Sequence, residues 1–115
     1  MPESARDRHR PLDGVRVVDF SRVLAGPFCT RILADLGAEV IKIEPPEGDV
    51  SRRLGPRRGG MSGYYMQQNC GKRNVSLDLK HPRGRELALE IIGRSDVLVE
   101  NFRPGVMAAL GLGPD

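Results

Sequence analysis

Large aromatic rings are scarce in this sequence, which has no tryptophan, two tyrosines and three phenylalanines among 115 residues. A core closed by aromatic packing is therefore excluded, and we expect an aliphatic interior. Only two cysteines, Cys29 and Cys70, are present. They are too few for a disulfide framework and predict reduced thiols and a cytoplasmic location.

Long apolar runs are also missing. No stretch approaches the roughly 18 apolar residues that a membrane helix needs, so no membrane partner is expected. The charged start, Met1 to Arg10, lacks the apolar centre of a secretory signal. It offers nothing to bury, and we interpret residues 1–10 as a disordered leader ahead of a single domain over residues 11–115.

Acidic residues are absent from a central stretch, Val50 to Leu77, which we call the basic block. It contains six cations: Arg52, Arg53, Arg57, Arg58, Lys72 and Arg73. Such a block fits a polyanionic partner, whether nucleic acid, an anionic membrane surface or a phosphorylated small molecule. The alternative is a solvated, mobile loop whose arginines only keep the chain soluble, and charge alone favours this alternative.

Apolar periodicity predicts strands over 15–20, 39–44, 74–79 and 96–100 and helices over 26–36, 82–93 and 106–110. In the first helix, Phe28, Ile32 and Leu36 recur every four residues and predict its buried stripe. A long loop over 45–63 separates the second and third strands and is interpreted as functional or disordered. Alternating strands and helices indicate an α/β fold with an open parallel sheet.

Ligands of such sheets bind beyond the carboxyl ends of the strands. Those ends lie at Ser21 to Gly26, Glu44 to Gly48, Leu79 to His81 and Asn101 to Gly105. Two full helices cannot cover both faces of four strands. We therefore expect these residues to be the first part of a longer protein, or to need a partner chain.

Two single residues, Glu44 and Cys29, are candidate functional groups. Glu44 lies where an acid would bind a ribose in a dinucleotide site, but the preceding turn, S-R-V-L-A-G-P, lacks G-x-G-x-x-G. We interpret it as a surface glutamate before a turn. Cys29 lies in the first turn of a helix, but neither His9 nor His81 is placed to activate it. It is interpreted as a small, part-buried residue.

Metal and acid–base sites are disfavoured. Two cysteines 41 positions apart and two histidines in unrelated segments do not form a ligand set. Neither Asp19 with Asp49 nor Asp96 with Glu100 has a spacing that requires acid–base catalysis.

A phosphate site is favoured instead. Lys80 and Arg103 both follow strand ends, and the first helix begins after Ala25 and Gly26 at the same edge of the sheet. A helix N-terminus attracts anions, and cations converge with it here. Because the basic block carries few stacking rings, the pattern fits a nucleotide-like anion better than nucleic acid.

Three motifs then resemble a known family. LDGVRVVDFSRVLAGPFCTRILADLGAEVIKIEPPEGD, NCGKRNVSLDLKHPRGRELA and SDVLVENFRPGVMAALGLGPD are similar to the opening of family III coenzyme A transferases, the CaiB/BaiF family. The resemblance covers Pro11 to Asp115. It implies a Rossmann-like domain, interlocked homodimers, and transfer of CoA between an acyl-CoA and a carboxylic acid through an aspartyl-CoA intermediate. CoA is then a substrate, with no separate cofactor or metal.

By position, the resemblance places CoA contacts after three of the strands. The matching residues are Val23, Leu24, Ala25, Leu77, Asp78, Leu79, Lys80, Asn101, Phe102 and Arg103. Lys80 and Arg103 would neutralise the phosphates of CoA. Phe102 would pack on the adenine or the pantetheine arm, and the backbone at Ala25 would lie near the thioester.

Several positions depart from the family pattern. Leu24 replaces the glutamine usual in formyl-CoA transferases, which argues against a formyl-CoA and oxalate pair. Pro45 and Ala109 replace arginines that bind the nucleotide. The nucleophilic aspartate of the family lies beyond Asp115, so these residues alone are expected to show no turnover. The alternatives are an acyl-CoA racemase of the same family, a non-catalytic CoA- or nucleotide-binding module, and a basic nucleic-acid-binding protein.

Overall fold

A computed structural model describes residues 9–114. Residues 1–8 of the predicted leader lie outside the described residues, as does Asp115. His9 and Arg10 are exposed, and the Arg10 amide donates to the Asp13 carboxylate at 2.8 Å. No helix within the described part has the length and apolar character that crossing a bilayer requires.

The main sheet has four parallel strands. In chain order they are β1 (Arg16–Asp19), β2 (Glu39–Glu44), β5 (Arg73–Ser76) and β6 (Val97–Val99), and the spatial order is β5-β2-β1-β6. The predicted α/β parallel fold is confirmed. The chain winds from β1 outward to β5 and then crosses to the other side of β1, so the winding reverses between β1 and β6. Such a reversal opens a crevice at the carboxyl ends of the strands.

Helices cover both faces of this sheet. They are α1 (Ala25–Asp35), α2 (Gly63–Asn69), α3 (Pro82–Gly93) and α4 (Val106–Ala109). Val17 and Val40 pack with Ala34 and Ala38 on the face of α1. Val18 and Ile43 pack with Ala88 and Met107 on the opposite face. Because neighbouring strand residues point to opposite faces, the Val17-Val18 pair supplies both cores. The buried hydrophobic residues are aliphatic apart from Phe20 and Met107.

The predicted buried stripe of α1 is wrong. Phe28, Ile32 and Leu36 are 49%, 42% and 41% exposed. The helix instead turns its small residues to the sheet, namely Gly26, Pro27, Thr30 and Ala34. A Cβ at Gly26 would overlap the Ser21 side chain, so the helix approaches the sheet more closely than a stripe of large residues would permit.

The long loop after β2 is ordered. It contains a short 3-10 helix (Val50–Arg53) and a two-stranded hairpin made of β3 (Arg57–Arg58) and β4 (Met61–Ser62). The segment after the hairpin is α2, whose first turn is capped by the Ser62 hydroxyl accepting from the Tyr65 amide at 3.2 Å. The loop therefore packs beside the carboxyl ends of the sheet as a fixed structure.

Candidate functional site

A cleft of about 540 Å³ opens at the carboxyl ends of the strands, where the winding reverses. Its walls come from the ends of β1 and β2, the loop after β2, the turn after β5 and the segment after β6. Its lining residues include Phe20, Arg22, Lys42, Glu44, Asp49, Arg53, Asp78, Leu79, Lys80 and Phe102. The cleft thus lies where the sequence predicts a ligand.

The cleft has apolar walls and cations among its lining residues. Phe20, Leu79 and Phe102 supply apolar surface, and Arg22 and Lys80 supply exposed cationic groups. The Arg22 guanidinium lies 5.0 Å from the centre of the Phe102 ring, within cation–π range. A ligand with a flat or apolar part and an anionic part matches this combination.

The predicted contact residues divide into two groups. Asp78, Leu79, Lys80 and Phe102 line the cleft. The Asp78 carboxylate accepts from the Lys80 amide at 3.0 Å, which fixes the turn that presents Lys80. Gly84 is required beside this turn, because a Cβ there would overlap the Asp78 carbonyl.

The other predicted contacts surround the cleft without lining it. Val23 and Leu24 in the β1–α1 connection are exposed, as are Ala25 at the start of α1 and Arg103 after Phe102. Two further residues have structural contacts. Leu77 packs against the core, and Asn101 accepts from the Arg22 amide at 2.9 Å and donates to the Arg22 carbonyl at 2.8 Å. Asn101 therefore fixes the backbone next to the cleft.

Glu44 is not a surface residue, contrary to the sequence interpretation. It is buried, and its carboxylate accepts from Arg52 Nε and from the Asp49 amide, both at 2.7 Å. The Tyr65 hydroxyl and the side-chain amide of Asn74 also donate to this carboxylate. Burial alone would raise the pKa of Glu44, but the hydrogen bonds from Arg52 and Tyr65 outweigh burial and lower it to about 2. Glu44 thus ties the loop to the end of β2.

Asp19 and Asp49, whose spacing gives no indication of acid–base catalysis, are both buried and paired with lysines. Asp49 lies 2.9 Å from Lys42 Nζ, and Asp19 lies 2.9 Å from Lys72 Nζ. The Asp19 carboxylate also accepts from the Thr30 hydroxyl at 2.6 Å and from the Ser21 hydroxyl. Burial would raise the pKa of Asp49, but the Lys42 ammonium and the Ser51 amide lower it. We call Asp19, Lys42, Glu44, Asp49 and Lys72 the buried ionic cluster.

Several cations of the basic block are already paired within the chain and are therefore not available to a ligand. Lys72 is buried, which lowers its pKa, and it also donates to the Pro27 carbonyl at 3.0 Å. Arg52 is bound to Glu44, and Arg73 lies 3.2 Å from Glu39. Within residues 9–114, no carboxylate pairs with Arg53, Arg57 or Arg58, and all three are exposed. The interpretation as a mobile loop is wrong for this ordered segment.

The remaining candidates are simpler. Cys29 and Cys70 are both exposed, so the part-buried interpretation of Cys29 is wrong. Asp96 accepts from the Arg16 amide at 2.8 Å, and Glu100 accepts from the Phe102 amide at 2.8 Å. In the part of the chain that the structure describes, no three His, Cys, Asp or Glu side chains are grouped as a metal site requires.

The buried ionic cluster and Arg22, one of the cations of the cleft, were not predicted from the sequence, whereas Arg53 belongs to the basic block that was predicted to fit a phosphorylated partner. Arg22 had a usable signal, because it lies within the strand-end segment Ser21 to Gly26. The pairing of Asp19 with Lys72 had none, because 53 positions separate the two residues.

Fold and cleft together define an α/β protein of the Rossmann-like class with its candidate ligand site at the point where the winding reverses. The sequence model of CoA-transferase family III matches residues 12–115, and the chain belongs to that family.

Individual relatives agree with this assignment. The chain is 46% identical over 114 residues to the human succinyl-CoA:glutarate CoA-transferase, covering 97% of this chain and 26% of that protein. It is 52% identical over 102 residues to the acetyl-CoA:oxalate CoA-transferase of Acetobacter aceti, covering 88% of this chain and 26% of that protein. A solved CaiB/BaiF family protein from Brucella suis superposes with a TM-score of 0.86 at 41% identity, covering 92% of this chain and 29% of that one.

The chain spans about a quarter of the length of the curated relatives it matches. The comparisons therefore bear on that quarter of the relatives and not on the rest of their length.

Proposed function

We propose that this chain supplies the CoA-binding N-terminal part of a CoA-transferase, which moves coenzyme A from an acyl-CoA to a carboxylic acid. The observation that carries the proposal is the cleft at the carboxyl ends of the strands, with Phe102 and Leu79 as apolar walls and Arg22, Arg53 and Lys80 among the residues that line it. CoA combines an adenine ring, an apolar pantetheine arm and several phosphate charges. Its chemistry matches this arrangement in kind.

The predicted contacts receive roles on this basis. Lys80 and Arg103 bind phosphate oxygens, where charge-assisted hydrogen bonds are strongest. Phe102 packs on the adenine or pantetheine, and Asn101 holds the adjoining backbone. Asp78 and Leu79 form the wall after β5, and Leu77 packs against the core next to them in the chain. Val23, Leu24 and Ala25 lie at the thioester end. Arg22 and Arg53 take over from the family arginines that Pro45 and Ala109 replace.

The reaction class follows from the relatives. Those reported above are named as transferases of succinyl-CoA with glutarate and of acetyl-CoA with oxalate. These names favour transfer to a carboxylic acid acceptor over racemisation. Leu24 argues against formyl-CoA with oxalate, and the names of the relatives do not single out one acceptor.

The family resemblance implies that catalysis uses an aspartate nucleophile beyond Asp115. We propose that an aspartate outside residues 1–115 attacks the thioester and forms an aspartyl-CoA intermediate. These residues alone then bind CoA without turnover. An interlocked homodimer and a cytoplasmic location belong to the same proposal. The exposed thiols of Cys29 and Cys70 suit a reducing compartment.

CoA binding tests the proposal. We expect residues 1–115 to bind CoA in calorimetry, and Lys80→Glu and Arg103→Glu each to weaken binding about tenfold or more, because each puts an anion against a phosphate. Arg94→Glu is the matched control. Arg94 is also an exposed cation, but it follows α3 and precedes β6, at the edge of the sheet opposite the cleft, so binding should stay near that of the unmutated chain. Equal loss in all three variants would indicate nonspecific charge attraction, and turnover by residues 1–115 would contradict the external nucleophile.

A further inference from the structure

The connection between β1 and α1 contains an unusual backbone conformation. Val23 has a φ of 70°, and among the described residues no other non-glycine residue has a positive φ. A β-branched side chain is especially disfavoured there. Such a conformation persists only where the surrounding structure enforces it.

A buried ion pair provides part of that enforcement. Lys42 Nζ donates to the Ser21 carbonyl at 3.0 Å, and Asp49 Oδ1 accepts from the Val23 amide at 3.4 Å. Lys42 and Asp49 are themselves paired at 2.9 Å, with 1% of each side chain exposed. The pair therefore contacts the backbone on both sides of Arg22.

Further hydrogen bonds complete the restraint. Asn101 binds both the amide and the carbonyl of Arg22. The Ser21 amide donates to Asp19 at 2.8 Å. Donors and acceptors from β1, β2, the loop after β2 and the segment after β6 thus converge on three consecutive residues.

The pair also connects two walls of the cleft. Asp49 accepts from the Ser51 amide at 2.9 Å, and its own amide donates to Glu44 at 2.7 Å. Lys42 and Asp49 both line the cleft. Because a buried ion pair gains little net stability over apolar residues of the same size, stability alone is a weak reason for its presence.

We propose that Lys42 and Asp49 are positioning residues, which hold residues 21–25 in one strained conformation against which the thioester of acyl-CoA is oriented. This inference rests on the proposed function. Although both residues border the cleft, only 1% of each side chain is exposed. The pair therefore acts on the thioester mainly through the backbone of this segment, and its effect falls on orientation in the transition state more than on the affinity for CoA.

The test uses Asp49→Asn in the intact protein. The amide can still accept from Val23 and Ser51, but it no longer neutralises Lys42. We expect kcat to fall by about 10- to 100-fold, with the KM for acyl-CoA and the Kd for CoA changed by less than about threefold. We also expect the amides of residues 21–25 to exchange with solvent faster while those of β2 do not.

Two further variants distinguish a loss of positioning from a general loss of folding. Lys42→Met with Asp49→Asn leaves no lone buried charge and should fold, yet it should show the same loss of kcat and the same faster exchange. Glu39→Gln is the control, because it weakens an ion pair at the other end of β2, and kcat and loop exchange should stay unchanged. Loop exchange equal to that of the unmutated protein, or a loss confined to KM, would overturn the inference. Absence of CoA binding by the unmutated protein would instead overturn the proposed function and the thioester role, and amide exchange would then decide whether the pair holds the segment.

Discussion

Two regions of the molecule reverse the usual placement of polar and apolar side chains. At the carboxyl ends of β1 and β2, the buried ionic cluster is withdrawn from solvent. On the outer face of α1, Leu24, Phe28, Ile32 and Leu36 are exposed. The first region contains charges where an apolar core is expected, and the second exposes a stripe whose pattern is typical of a buried face.

Different physical causes explain the two regions. In the buried ionic cluster each carboxylate has a cationic partner and further hydrogen bonds, which makes burial of the charges tolerable. On α1, the small residues Gly26, Thr30 and Ala34 face the sheet, and the large residues remain on the outside. In the buried ionic cluster, charged side chains can be buried because their hydrogen bonds are satisfied. On α1, small side chains are buried because the helix backbone lies close to the sheet. The polarity of a side chain alone does not predict its burial in either region.

The largest expected effect on stability comes from removing the partner of one buried charge in the cluster. Lys72→Met removes the ammonium that lies 2.9 Å from Asp19 and leaves that carboxylate buried. We expect a loss of about 3–5 kcal/mol in the free energy of unfolding, measured by denaturant titration. Asp19→Asn combined with Lys72→Met should recover part of this loss, because neither partner is then charged.

An exposed ion pair provides the control for that experiment. Arg83 and Glu86 lie 2.7 Å apart with side chains 60% and 61% exposed. Arg83→Met should cost less than about 1 kcal/mol. A similar small cost for Lys72→Met would mean that the buried and exposed pairs are energetically alike, and the contrast between the regions would fail.

Local pattern was enough to predict most of the fold. The strand at Glu39–Glu44 and the helix at Pro82–Gly93 have their predicted bounds. Periodicity, the proline at the start of the helix and the Pro-Pro pair after the strand are all local signals. The parallel sheet followed because alternating strands and helices form such sheets, and the position of the cleft followed from the strand ends. The strand order β5-β2-β1-β6 was not predicted.

The rest depended on contacts between distant residues. The periodic spacing of Phe28 and Ile32 predicts a buried stripe, but Thr30 and Ala34 have the same spacing on another face. The pattern alone cannot choose between a stripe of large residues and one of small residues. The buried ionic cluster required knowing that Lys72 meets Asp19 across 53 positions. Lys80 and Phe102 both line the cleft, and both lie in the segments after strands where the sequence predicts ligand contacts.

An intermediate effect on the free energy of unfolding is expected from removing the Glu44 carboxylate, and this effect depends on pH. The pKa of this carboxyl is about 2 in the folded chain, against an ordinary value of 4.5. Because the folded pKa is the lower one, Glu44 stabilises the fold fully above about pH 4.5, and this contribution is lost as the pH falls toward 2. The difference corresponds to about 3 kcal/mol.

The measurement compares the unmutated chain with Glu44→Gln by denaturant unfolding between pH 7 and pH 2. The destabilisation caused by the substitution should be largest near neutrality and should shrink as the pH approaches 2. Glu90→Gln, at an exposed position on α3, should show a small difference that does not vary in this way. A constant difference for Glu44→Gln would show that its hydrogen bonds are not selective for the ionised form.

The smallest effect on stability is expected on the outer face of α1. Phe28→Gln combined with Ile32→Gln should change the free energy of unfolding by less than about 1 kcal/mol, because both side chains are already exposed. Self-association of residues 1–115, followed by sedimentation velocity, should decrease, because contiguous exposed apolar surface promotes association. Ala34→Leu is the contrasting variant: it adds bulk on the docked face and should cost about 1–3 kcal/mol. If the double substitution destabilised the chain more than Ala34→Leu, the large residues would be the docking face in solution, and the assignment of the two faces of α1 would have to be exchanged.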